Sequence, residues 1–108
     1  MKTHTREEVY RAMRADVVQL LDSRQAPAQR WAQTSRTDLI EMIYIVYLMG
    51  DLDKPDGSPA SFRWMVDTIF QRLRLRVPAN PVAVAQAARN RKGIKQRPFE
   101  ERFFINEE

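Results

Sequence analysis

The residues of this chain with the clearest chemistry are cations. Between Thr68 and Phe99 there is no Asp or Glu, yet the stretch holds Arg72, Arg74, Arg76, Arg89, Arg91, Lys92, Lys95 and Arg97. The whole chain has 18 Lys/Arg against 14 Asp/Glu, a net charge of +4. Setting those eight cations aside leaves ten against fourteen, so a segment of +8 is carried on a body of −4. Segregated charge creates a local positive potential, and phosphate backbones are its commonest partner. A surface without a partner tends instead to interleave the two signs. The densest part is Arg89-Asn90-Arg91-Lys92-Gly93-Ile94-Lys95-Gln96-Arg97. Cations at a helix C-terminus complement its dipole by about 0.3–1 kcal/mol each without any ligand. That covers the cations before Gly93 but not Lys95 and Arg97 beyond it. Arg89, Arg91, Lys92, Lys95 and Arg97 are therefore expected to meet phosphates, with Asn90 and Gln96 beside them able to reach base edges. The expected partner is a phosphate backbone.

Other chemistries have little to stand on. There is no cysteine, which removes disulfides, thiolate metal sites and thiol nucleophiles. The one histidine is His4, near the N-terminus, so neither a histidine metal site nor a Ser-His-Asp triad is expected. Asp38 and Glu41 lie one turn apart near the start of a helix, where capping and the dipole explain both. Asp51 to Gly57 has the acidic spacing of a calcium loop but no ligand at the twelfth position, and reads as an exposed turn. With three glycines in the chain there is no phosphate-cradling loop and no nucleophile elbow. No enzyme activity, cofactor, metal or small-molecule substrate is expected. The N-terminus has no apolar core of a signal peptide, and no run of about 18 apolar residues is present. A cytoplasmic domain without a membrane partner is the expectation.

The elements that must position the cations are helical. At 108 residues the chain fits a single domain, 1–108. Residues 6–23 read as a first helix, with Val9, Met13, Val17, Leu20 and Leu21 on one face and Thr5 as N-cap. The polar connection that follows has room for a helical turn, with Trp31 packing inward. Ser35 to Asp38 is a capping pattern that opens a second helix, apolar on nearly every side from Leu39 to Met49 and closed by Gly50. Such a helix should be the core. Ser58-Pro59 reads as the cap and first residue of a third helix, striped by Phe62, Met65, Val66, Ile69, Phe70 and Leu73. Trp64 is off that stripe, placed for partial exposure or a dimer contact. Leu73 to Val77 alternates apolar and basic residues, compatible with a fraying helix or a short strand. Asn80-Pro81 starts a fourth helix, Val82 to Lys92, rich in alanine. The expected fold is mainly α, about four helices.

One stretch resembles a known family. Trp31-Ala32-Gln33-Thr34-Ser35-Arg36-Thr37-Asp38-Leu39-Ile40-Glu41-Met42-Ile43-Tyr44 is similar to a signature in the C-terminal part of the RteC family. Arg36 stands for the family's Lys, and Met42 for a Leu. Arg89-Asn90-Arg91-Lys92 is similar to a second, shorter basic segment of that family. The resemblance covers residues 30–105. It implies a DNA-binding domain of helix-turn-helix or winged-helix type in transcriptional control on mobile genetic elements, with the third and fourth helices as the pair and Gly93 to Phe99 as a wing or arm; the partner it implies is double-stranded DNA. Paired half-sites make a homodimer compatible with this expectation. The alternative from a different class is a protein-interaction module, with the basic face turned to an acidic partner and an apolar patch around Trp64 and Phe103-Phe104.

Overall fold

Four polar side chains set where the long helices begin. Thr5 Oγ1 accepts the Glu8 N–H at 3.1 Å and Ser35 Oγ the Asp38 N–H at 3.1 Å. Ser61 Oγ accepts the Trp64 N–H at 3.1 Å and Asn80 Oδ1 the Ala83 N–H at 3.2 Å. Each satisfies a donor that the first turn leaves without an intrahelical partner. The computed structural model describes residues 5–22, 24, 26–27 and 30–89. Its helices are α1 (Arg6–Leu21), α2 (Arg30–Gln33), α3 (Arg36–Met49), α4 (Phe62–Arg72) and α5 (Pro81–Arg89). The fold is mainly α. The first helix ends at Leu21, where the Asp22 N–H closes onto Val18 O and Gln19 O. The single turn of α2 places Trp31 in the core.

The α4 start corrects the sequence reading. Ser58-Pro59 does not begin the helix. Lys54 N–H donates to Ser58 O at 2.7 Å, Gly57 N–H to Lys54 O at 2.9 Å and Ala60 N–H to Leu52 O at 3.0 Å. Asp53 and Pro59 form an antiparallel bridge. Residues 52–60 are therefore a miniature hairpin around Pro55-Asp56-Gly57, with Gly57 at φ +89°. Proline and aspartate suit the centre of a type I turn, and a left-handed glycine after it lets the two arms pair. The helix waits for the next serine, Ser61.

The core is built around α3. Leu39, Ile40, Met42, Ile43 and Val46 are fully buried, and they are met by Met13, Val17 and Leu20 of α1 and Met65, Val66, Ile69 and Phe70 of α4. α5 lies chiefly on α3 rather than on α4, with Ala85 and Ala88 at the contact. The expected pairing of the third helix with the fourth is thus a minor contact. Residues 73–80, between α4 and α5, are longer than the three- to four-residue turn typical of a tight helix-turn-helix. Among the described residues no helix is long and apolar enough to cross a membrane.

Candidate nucleic-acid interface

Four of the eight cations in the acid-free stretch belong to the described residues, and the structure divides them into two kinds. Arg72, in the last turn of α4, turns inward. Its Nη1 donates to Leu20 O at 2.6 Å and so satisfies a carbonyl in the final turn of α1. Arg89, the last residue of α5, also turns inward. Its Nη1 lies 3.8 Å from Glu41 Oε2 on α3, with the two side chains 32% and 3% exposed. The sequence assigns Arg89 to phosphate; its guanidinium instead faces a core carboxylate. Asn90, Arg91, Lys92, Lys95, Gln96 and Arg97 lie outside the described residues.

Arg74 and Arg76 are the second kind. Both are exposed, and neither is in ion-pair contact with a carboxylate among the described residues. Some surface arginines are matched locally, whereas Arg6 and Arg36 are exposed and, like Arg74 and Arg76, in no ion pair with a carboxylate among the described residues. Arg11 pairs with Glu7 at 3.0 Å, Arg14 with Asp51 at 2.9 Å and Arg63 with Asp67 at 3.1 Å. Arg24 holds Asp22, and that hydrogen bond and charge raise its pKa above the ordinary arginine value.

The segment carrying Arg74 and Arg76 resolves the question of helix or strand at 73–77 in favour of neither. Leu75 N–H donates to Phe70 O at 2.8 Å and Arg74 N–H to Gln71 O at 3.1 Å. These two bonds make a Schellman motif, which needs a left-handed residue after the helix; here it is Arg74 at φ +57°. Leu73, Leu75 and Val77 pack against the core, so the alternation sends Arg74 and Arg76 outward.

α5 offers a neutral surface beside them. Its inner side buries Pro81, Ala85 and Ala88, while Val82, Ala83, Gln86 and Ala87 face outward. Small side chains around one amide let a helix approach a flat partner closely, and glutamine can bond adenine through two atoms.

Glu41 is the residue the sequence reading placed wrongly. It is 2% exposed in the core and faces Arg89, rather than being explained by capping and the dipole at the helix start. Its signal was present: Leu39, Ile40, Met42 and Ile43 flank it, and a helix apolar on nearly every side from Leu39 onward leaves an acid within that run no route to water. Trp64 is half-buried, with the Lys54 ammonium 5.9 Å from its ring centre. Large exposed apolar side chains among the described residues are Val18 on α1, Val82 on α5, and Tyr47, Leu48 and Met49 together on the last turn of α3, with Leu48 59% exposed.

Two surface depressions, of about 450 and 520 Å³, lie near that turn. The first is lined by Tyr47, Leu48, Leu52 and Met65 among others, the second by Arg6, Glu7, Tyr10, Arg14 and Met49 among others. Neither brings two carboxylates together or a nucleophile against a base. No group of three His, Asp or Glu side chains among the described residues is placed to hold a metal ion. No protein-family model, no curated protein and no solved structure matches the chain.

Proposed function

We propose that this chain is a DNA-binding domain of the regulatory kind, related to the RteC proteins of mobile genetic elements. In this reading it holds duplex DNA through its acid-free basic segment. The observation that carries it is the run from Thr68 to Phe99, which contains eight cations and no acid, on a body of opposite sign. The exposure of Arg74 and Arg76 without matching carboxylates supports it, since charge left unbalanced on a surface favours an anionic partner. Arg91, Lys92, Lys95 and Arg97 contribute phosphate contacts. The outer face of α5 enters a groove, with Gln86 as the residue that meets base edges. Arg89 serves the domain through Glu41 rather than through DNA.

The test is a fluorescence-anisotropy titration of labelled random duplex DNA at several salt concentrations. The wild type is compared with the R91A/K92A/K95A variant. Salt-dependent binding that the variant loses supports the reading. A folded wild type that fails to bind at low salt removes it. Displacement of the probe by poly-glutamate at equal charge also removes it, in favour of an acidic protein partner.

A second reading rests on a separate observation. Tyr47, Leu48 and Met49 expose a contiguous apolar turn at the end of α3, as a protein contact or homodimer would use. Sedimentation equilibrium of wild type beside L48S tests it. A monomer at all concentrations removes the homodimer.

A further inference from the structure

We propose that Arg74 and Arg76 form a fixed two-point grip on a phosphodiester backbone, built into the C-terminal turn of α4. The proposal rests on the duplex-binding reading and adds to it two residues and the device that holds them.

The device begins with backbone geometry. A residue at φ +57° after a helix is ordinarily glycine, because a Cβ crowds the neighbouring carbonyl there. This chain puts arginine in that place and completes the motif with both of its hydrogen bonds, at 2.8 and 3.1 Å. Strain of this kind persists where the surroundings fix it, and it gathers at functional positions. Dipole complementation is the plain alternative for a cation at a helix end. It does not account for Arg76, which lies two residues further on.

The second part is the anchoring. Leu73, Leu75 and Val77 are packed against the core, so the backbone between them has little freedom. Arg74 and Arg76 flank Leu75, which is packed against the core, so both cations leave the same short segment toward solvent. Two guanidinium forks carried two residues apart on one anchored segment, each free of a competing carboxylate among the described residues, suit successive anionic groups on one strand. A chain of phosphodiesters supplies such groups at regular intervals.

The experiment uses the full chain, labelled random duplex DNA and a salt series. Wild type is compared with R74G, R74N, R74G/R76A and the control R11A, whose arginine pairs with Glu7 on α1. Glycine relieves the left-handed strain, so R74G melts at or up to about 4 °C above wild type. R74N, which tolerates the same backbone, stands in if R74G fails to fold. R74G/R76A is expected to bind at least tenfold more weakly at physiological salt. Its slope of log K against log salt should fall by about 2 in magnitude, and R11A should match wild type. Folded R74G/R76A with wild-type affinity and slope overturns the grip while leaving duplex binding in place. Weaker binding with an unchanged slope overturns it too, since no phosphate contact has then been lost. A wild type that does not bind DNA overturns both.

Discussion

A carboxylate in an apolar core has lost its water and must be compensated by charge or hydrogen bonds, since desolvating it alone is costly. Glu41 shows this at the scale of one residue. The acid sits on the helix that packs against every other long helix, and Arg89 arrives from α5 with Nη1 3.8 Å from Oε2. That distance is an ion pair rather than a hydrogen bond. The pair joins the hub to the final turn of α5, immediately before the densest basic segment. Arg89→Ala is expected to destabilise the fold by about 2 kcal/mol, because it leaves a buried charge less compensated. A double-mutant cycle of E41Q and R89M in urea unfolding should give a coupling of at least about 0.5 kcal/mol. Additivity would show the two side chains to be independent. The consequence for function is practical. Loss of DNA binding on removing Arg89 would report on the fold and not on a phosphate contact, so the informative variants lie elsewhere.

At the scale of elements, the helices were largely legible because their signals are local. Thr5, Ser35 and Asn80-Pro81 cap where the sequence says they should, and Gly50 closes α3 in the left-handed conformation at φ +74°. Ser58-Pro59 misled because Ser-Pro is equally at home in a turn. What decided the matter was pairing between Leu52–Lys54 and Ser58–Ala60, which no local signal announces. Leu73 to Val77 misled for a related reason: the alternation of a strand is here produced by a helix C-terminus followed by extended chain. The hairpin yields two predictions. A Cβ at Gly57 would meet nothing within 4 Å, so Gly57→Ala costs only the left-handed backbone, about 1 kcal/mol in urea unfolding. Asp56 accepts the Ser58 hydroxyl at 2.6 Å and the Ser58 N–H at 2.9 Å, bonds that favour its charged form and hold its pKa below the ordinary carboxylate value. A depressed folded pKa gives stability that is complete above the unfolded value of about 3.9 and is lost as pH falls through the folded one. An NMR titration should therefore place the Asp56 midpoint below that of the same residue in the urea-unfolded chain, with the Ser58 amide shifting at the same pH. The hub makes the contrast. Ile43→Ala should cost about 3 kcal/mol, whereas L48S on the exposed turn of the same helix should stay within about 0.5 kcal/mol.

At the scale of the whole molecule the governing quantity is the charge dipole, +8 on one segment and −4 on the rest. Its effect on binding can be calculated before any contact is known. Each neutralised phosphate contributes about 0.9 to the slope of log K against log salt on duplex DNA. With Arg72 and Arg89 turned inward, the acid-free stretch offers Arg74, Arg76, Arg91, Lys92, Lys95 and Arg97. Contact by all six predicts a slope of about −5.4; contact by only the four beyond α5 predicts about −3.6. The two values separate an interface that includes the α4 turn from one confined to the chain after α5. In the duplex-binding reading proposed above, the outer face of α5 is the surface that meets the groove. Gln86→Ala should then leave the slope on random duplex unchanged, since an amide neutralises no phosphate, while flattening the preference recovered from a selected pool of duplexes. A changed slope in that variant would mean that α5 had moved. An unchanged slope with an unchanged preference would mean that α5 does not read bases, leaving a domain that grips the backbone alone.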